Sequence, residues 1–558
     1  MLLLTLIGTS VWAAELPPHA AVSVGGMVAS VHPLATEAGI AVLRGGGNAV
    51  DAAIAVGLTL GVVDPHNSGL GGGCFILIRR ADGRLAAIDG RETAPARATP
   101  DMYIKDGKVQ PELSQDGPLA VATPGALAAY DLALREHGRR TLGELALPAA
   151  ALAESGFAHS RPSAAALRAS ARLLRQFSGP EVDLLPRDGS PPEEGQWVRQ
   201  PDLARTLRGI AREGTDYFYR GPLAQAVGKW MAERGGLLTA EDFAQYRPVV
   251  RQPLVTTYRG WTIVGFPPPS SGGVHVAQML HMLEMFDLAG IYQRDPVAFH
   301  HLLAEAMKLA FADRAHWLGD PDFARVPRGL VDKEYGRSLA ARIDLAKATP
   351  VPSAGMPPDA DSRVFEKHTT HIAVADAEGN WVAMTQTINT GYGAKVIVPG
   401  TGVVLNNEMD DFAIAPGQPN AFGLVGAEAN AVAARKRPLS SMSPTIVLQD
   451  GQPVLTVGAA GGPTIISQVL QTVVRCLDLK MPLPEAVASP RIHHQWSPDR
   501  LRVENGLDDA IRQGLVARGH TLTPVARMGV CQAIFFDIAS KSFLGVHDPR
   551  TPGKAAGP

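Results

Sequence analysis

Residues 346–371 constrain the fold of this chain most strongly. An Ala-, Pro-, Asp- and Ser-rich stretch, AKATPVPSAGMPPDADSR, runs through VFEKH into Thr369-Thr370-His371, after which the sequence alternates like a strand, IAVAD. A flexible segment feeding a threonine at the head of a strand is unusual 369 residues into a protein, and points to a cut there. Cleavage before Thr369 would give it a free α-amine beside its own hydroxyl, a known way to build an activated nucleophile.

Residues 376–380 (Asp-Ala-Glu-Gly-Asn) read as a turn between two alternating runs, so 369–389 reads as a hairpin. A three-residue loop at 377–379 sets Thr369 opposite Thr387, and a slip of one residue would change every pairing. Thr385, Thr387 and Asn389 then share one face. That row is either a polar wall beside the nucleophile or the solvent side of an edge hairpin.

At 558 residues the chain exceeds the usual size of one core, so one large domain or two intimately packed ones are expected. A net charge of −2 provides no basic field, which argues against nucleic-acid partners. Cys74, Cys476 and Cys531 form no CxxC pair, which argues against a zinc site or a disulfide framework. The N-terminal MLLLTLIGTSVWAAELPP has a short apolar run and small residues near Ala13, although no Lys or Arg precedes Leu2. It reads as an export signal over 1–13, placing the protein in the periplasm or outside the cell. No other stretch reaches the ~18 uncharged apolar residues of a membrane span.

Residues 33–60 read as two helices broken at Gly45-Gly46-Gly47, with Asn48 capping the second and Asp51 in its first turn. Gly71-Gly72-Gly73 precede a strand, and no Lys-Ser/Thr follows, so they fail as a phosphate loop. Residues 117–245 are largely helical, 253–266 alternate like a strand, and 296–318 form a periodic helix. Further strands are expected at 371–376, 381–389, 403–406, 445–449 and 453–457, with helices at 464–478 and 508–518. Strands with short turns flanked by helical blocks imply a layered α+β fold.

The polar cluster 406–411 (NNEMDD) could receive an ammonium, bind a metal or be solvated loop charge. Gly461-Gly462 follow a strand and could bring backbone N–H groups close to an oxyanion. His493-His494 lack a third ligand at metal-like spacing and read as structural.

These segments resemble one family in a fixed order. They are GGNAVDAA (46–53), SGLGGG (68–73), DGRETAP (89–95), FPPPSSGG (266–273), AEAMKLAFADR (304–314), Thr369-Thr370-His371, Thr387-Ile388-Asn389, NNEMDDF (406–412), KRPLSSMSPT (436–445) and GAAGGP (458–463). By them the chain is identified as a member of the gamma-glutamyltranspeptidase (glutathione hydrolase) family. The resemblance implies the four-layer αββα sandwich of the N-terminal nucleophile hydrolases. It also implies self-cleavage between His368 and Thr369, giving a large subunit 14–368 and a small subunit 369–558 that stay together as a heterodimer. Thr369 resembles the nucleophile, Thr387 its orienting neighbour, and Gly461 and Gly462 the oxyanion donors. Arg91, Ser440 and Ser441 resemble the clamp on a substrate α-carboxylate, and Asn389, Glu408 and Asp411 the holders of its α-ammonium. The implied substrates are glutathione and other γ-glutamyl compounds. Water, amino acids or dipeptides would be the acceptors, with no metal or organic cofactor.

Two positions depart from the pattern. Phe422, in the loop 416–435, stands where several bacterial relatives have a tyrosine whose hydroxyl latches this lid to Asn389, which implies a lid that opens more readily. Glu408 stands where some members have Gln, which implies stronger ammonium binding. The alternative within the fold is a glutaryl-type (cephalosporin) acylase. The full-length loop and the acidic pair Glu408 and Asp411 argue against it. A non-catalytic binding protein and a zinc hydrolase are the readings from other classes.

Overall fold

The computed structural model describes residues 16–358, 371–415 and 417–558. The export signal, the cleavage site and Thr369 lie outside the described residues.

Side chains along a strand alternate between two faces. In Ile372–Asp376 and Trp381–Thr387 both faces are apolar, with Ile372, Val374, Val382 and Met384 on one and Ala373, Ala375, Trp381 and Ala383 on the other. Strands of this kind need cover on both sides, and the hairpin duly lies at the centre of a seven-stranded sheet. Its order is Lys554–Ala556, Gly26–Ser30, Ile372–Asp376, Trp381–Thr387, Gly73–Arg79, Leu85–Gly90 and Val249–Arg251. A second seven-stranded sheet runs Ala20–Ser23, Ser542–His547, Val530–Asp537, Gln452–Ala460, Thr445–Gln449, Trp261–Gly265 and Leu254–Tyr258. All pairings in both sheets are antiparallel.

The branched face of the hairpin packs on helix Ala49–Val63, while Pro33–Arg44 covers the neighbouring strand Gly26–Ser30 and Ala126–His137 covers Gly73–Arg79 and Leu85–Gly90. Its alanine-rich face meets the second sheet, whose outer side carries Ser271–Leu283, Pro296–Trp317 and Thr464–Leu477. The result is the layered α+β fold expected from the pattern of strands and helices, in the four-layer αββα form that the family resemblance implies. Among the described residues no helix is long and apolar enough to cross a membrane.

Local chemistry explains the boundaries. Asn48 accepts from the Val50 and Asp51 N–H groups while Asp51 accepts from Asn48 N, a reciprocal cap that starts the second helix after the Gly45–Gly47 break. The hairpin pairs Ile372 with Met384 and Ala375 with Trp381 around a loop at 377–379, which is the expected register. Two expectations need correction. Residues 253–266 are not one strand but a hairpin, Leu254–Tyr258 and Trp261–Gly265, because Arg259 and Gly260 both take positive φ (47° and 85°) and turn the chain. The strand expected to reach 389 stops at Thr387, because Asn389 takes φ 74° and swings out of line.

The Gly71–Gly73 run is explained by backbone packing. A Cβ on Gly71 would lie 2.0 Å from the Val404 carbonyl oxygen, and one on Gly72 would lie 1.8 Å from that of Thr387. These glycines let one backbone lie directly behind the end of the hairpin. Gly72→Ala is therefore expected to lower the melting temperature, costing about 1–3 kcal/mol or more. Gly391→Ala, where a Cβ meets nothing within 4 Å, is expected to leave it unchanged. Equal melting of the two variants would contradict this account of the glycine run.

Candidate active site

A cavity of about 280 Å³ opens where strands Trp381–Thr387 and Gln452–Ala460 end. Its walls include Arg91, Thr387, Asn389, Glu408, Asp411, Ser440, Ser441, Gly461 and Gly462. These residues come from segments hundreds of positions apart.

Arg91 follows the strand Leu85–Gly90 and is fully buried. Its backbone is fixed on both sides. Its N–H donates to Asp89 Oδ1 (2.9 Å), and its carbonyl accepts from Tyr246 Oη (2.7 Å) and Arg437 Nε (3.3 Å). Nε donates to the Pro438 carbonyl (3.2 Å), which leaves the terminal fork for charge. Nη1 donates to Glu408 Oε1 and Nη2 to Asp411 Oδ2. Burial pulls the guanidinium down, but Glu408, Asp411 and Glu92 outweigh it and hold Arg91 above its ordinary value. Both carboxylates sit on one short turn, Glu408–Asp411. That turn is tied by Asn406, which accepts from Glu408 N (3.0 Å) and donates to the Gly71 and Ala122 carbonyls (2.8 Å each). Glu408 Oε2 is buried with no hydrogen-bond partner.

Thr387 Oγ1 accepts from the Asn389 N–H at 2.7 Å, so its own proton remains to be donated elsewhere. The turn at Asn389 that ends the strand creates this contact. Asn389 Nδ2 donates to the Asn407 carbonyl (3.0 Å), joining this wall to the acidic turn. Gly461 and Gly462 take φ 132° and 58°. They lead into helix Thr464–Leu477, whose first residue donates from Oγ1 to the Gly461 carbonyl (2.7 Å). The positive end of that helix faces the glycine turn, which favours negative charge there.

The loop that follows the acidic turn folds back over the cavity. Asn420 N donates to the Leu424 carbonyl (3.0 Å) and Gly423 N to that of Asn420 (2.8 Å), placing Phe422 at the tip. The Phe422 ring lies against Gly462, where a Cβ would sit 2.7 Å from ring carbon Cδ1. Gln495 Nε2 donates to the carbonyls of Phe422 (3.2 Å) and Gly423 (3.0 Å). The tip is thus tied through its backbone, a latch that nothing in the sequence signalled. His493 Nε2 lies 3.1 Å from Gln495 Oε1, so half of the histidine pair supports this latch.

Ser440 and Ser441 form the remaining wall. Ser440 N donates to the Pro269 carbonyl (2.9 Å), and Ser271 Oγ donates to the Ser440 carbonyl (2.6 Å). Behind them lies Arg314, on helix Pro296–Trp317, a residue for which sequence reasoning had assigned no role. The only signal for it was its place at the end of AEAMKLAFADR.

His371 is buried under the Gly458 backbone with neither ring nitrogen hydrogen-bonded, and burial pushes it down to about 3, so it is neutral. Elsewhere, His301, Glu305 and His520 come together. His301 Nδ1 and His520 Nε2 are 2.7 Å apart, as hydrogen-bonding partners are, and Glu305 pairs with Lys308 Nζ at 2.8 Å.

The gamma-glutamyltranspeptidase family model matches residues 35–558. The glutathione hydrolase proenzyme of Escherichia coli K12 is 42% identical, over 98% of this chain and 96% of its own length. The acylase ACY 1 proenzyme of Pseudomonas sp. SE83 is 40% identical over 92% and 90%. Among solved structures, the cephalosporin acylase of Bacillus halodurans superposes with a TM-score of 0.86 at 29% identity, covering 99% of each chain. The Helicobacter pylori gamma-glutamyltranspeptidase gives 0.56 at 40% identity, covering 57% of this chain and 92% of its own. With the family model spanning nearly the whole sequence, this chain belongs to the gamma-glutamyltranspeptidase family.

Proposed function

We propose that the chain is a self-processing γ-glutamyl hydrolase and transpeptidase acting on glutathione and related compounds. Export would remove residues 1–13, and cleavage between His368 and Thr369 would leave subunits 14–368 and 369–558 paired in the periplasm or outside the cell. The observation that carries this reading is the buried fork of Arg91 held between Glu408 and Asp411 at the end of the central hairpin. One cation and two anions in a small cavity suit an amino-acid head group. The substrate carboxylate would take over the Arg91 fork, and its ammonium would take Glu408, Asp411 and Asn389.

The chemistry follows from that orientation. The new α-amine of Thr369 accepts the proton of its hydroxyl, whose oxygen attacks the γ-carbonyl. Thr387, with its proton free to donate, orients the attacking oxygen. The Gly461 and Gly462 N–H groups stabilise the oxyanion, and such a donor is typically worth about 3 kcal/mol. The amide nitrogen leaves protonated as the amine, and a γ-glutamyl ester remains. Water then yields glutamate, while an amino acid or dipeptide acceptor yields a new γ-glutamyl amide.

A second reading has support in the acylase relatives and in the close superposition on a cephalosporin acylase. A glutaryl amide lacks the ammonium, so it would leave Glu408 and Asp411 with no substrate charge to bind. The two readings separate on γ-glutamyl-p-nitroanilide against glutaryl-p-nitroanilide. The γ-glutamyl compound is expected to be preferred by at least about a hundredfold in kcat/KM, since a site built for a polar group rejects the analogue lacking it. The opposite preference would overturn this reading in favour of the acylase. Arg91→Ala is expected to raise KM for the γ-glutamyl anilide about thirtyfold or more, while two bands persist on a denaturing gel. Equal loss of cleavage and turnover would instead make Arg91 a folding residue.

A further inference from the structure

Arg314 is buried; Asp411 acts on its charge, but among the described residues its hydrogen bonds go to hydroxyls and not to a carboxylate. A buried cation without such a partner is costly unless something else in the site balances it. Arg314 directs its donors at two hydroxyls instead. Nε donates to Ser271 Oγ and Nη2 to Ser441 Oγ, both at 3.0 Å. A guanidinium can only donate, so both hydroxyl oxygens act as acceptors here. Ser271 donates its own hydrogen bond to the Ser440 carbonyl (2.6 Å), fixing the backbone of the serine wall. Ser441 lines the cavity, and with its oxygen already accepting from Arg314, its proton is left to donate.

We propose that Arg314 is a positioning residue for the substrate α-carboxylate, acting through Ser441. It polarises the Ser441 hydroxyl, turns that proton toward the cavity and supplies a second positive charge behind the carboxylate that Arg91 clamps from the other side. Burial pulls Arg314 down to about 10, with Asp411 opposing and Arg91 adding to the fall, so the guanidinium remains charged at neutral pH. This inference rests on the γ-glutamyl reading above.

The test compares competitive inhibition by L-glutamate and by 4-aminobutanoate, which has the same ammonium and chain length from it but no α-carboxylate. Arg314→Gln, processed into two subunits, is expected to weaken glutamate inhibition by about tenfold to a hundredfold and to leave 4-aminobutanoate within about twofold. Arg314→Lys keeps the charge and one donor, and is expected to recover part of the loss. Ser441→Ala is expected to show the same selective loss, and combining it with Arg314→Gln is expected to add little. If Arg314→Gln is not processed, the Lys variant decides, and glutamate inhibition equal to wild type overturns the proposal. Equal weakening of both inhibitors also overturns it, since that is the mark of a structural role. If the wild-type protein does not cleave γ-glutamyl-p-nitroanilide, the functional reading itself fails. If it does and Ser441→Ala is selective while the Arg314 variants are not, only the Arg314 proposal fails.

Discussion

The Arg91 fork is the interaction on which the site depends. A guanidinium removed from water needs anions close by, and Glu408 and Asp411 supply them from a turn 317 and 320 residues away in sequence. That requirement shapes its surroundings. Tyr246 and Arg437 hold the Arg91 carbonyl, Asp89 holds its N–H, and Asn406 ties the acidic turn to the glycine run. The glycines in turn let that backbone lie directly behind Thr387. The charge cluster and the strand beside which the nucleophile is proposed to act are therefore joined by hydrogen bonds and close packing. In the proposed reading, a zwitterionic head group would enter by exchange, its carboxylate replacing theirs on Arg91 and its ammonium taking up the freed Glu408 and Asp411.

Much of this was legible in the sequence where the determinants are local. The hairpin register followed from one turn and the alternation on either side of it. The capped helix after Gly47 followed from Asn48 and Asp51. Residue chemistry raised the 406–411 cluster and Gly461-Gly462 as candidates, but ordered motifs were needed to choose among their readings and to add Arg91, Ser440 and Ser441, because spacing alone favoured a solvent-facing edge for the polar row of Thr385, Thr387 and Asn389. The structure puts that strand in the middle of a sheet, with another sheet over the face that Thr387 shares with Ala383.

What escaped was built from contacts between distant segments. Arg314 lies on a helix buried on nearly all sides, so no amphipathic pattern set it apart, and its meaning depends on Ser271 and Ser441 arriving from elsewhere. The lid shows the same limit. Attention to the hydroxyl that Phe422 lacks pointed at its side chain, whereas Gln495 holds the backbone at the tip and the ring rests on Gly462. The tie comes from an amide 73 residues away in sequence. Arg259 turned an apparent single strand into a hairpin for a simpler reason, since its positive φ is unusual for a residue with a side chain.

The central claim is that the hydroxyl of an N-terminal Thr369 takes up the γ-glutamyl group. Mass spectrometry of protein acid-quenched during turnover of a γ-glutamyl anilide tests it most directly. The account predicts a chain that begins at Thr369 and carries one glutamyl group, located by peptide mapping on that first residue. An adduct on another residue, or turnover by a chain that remains joined through His368–Thr369, would contradict it.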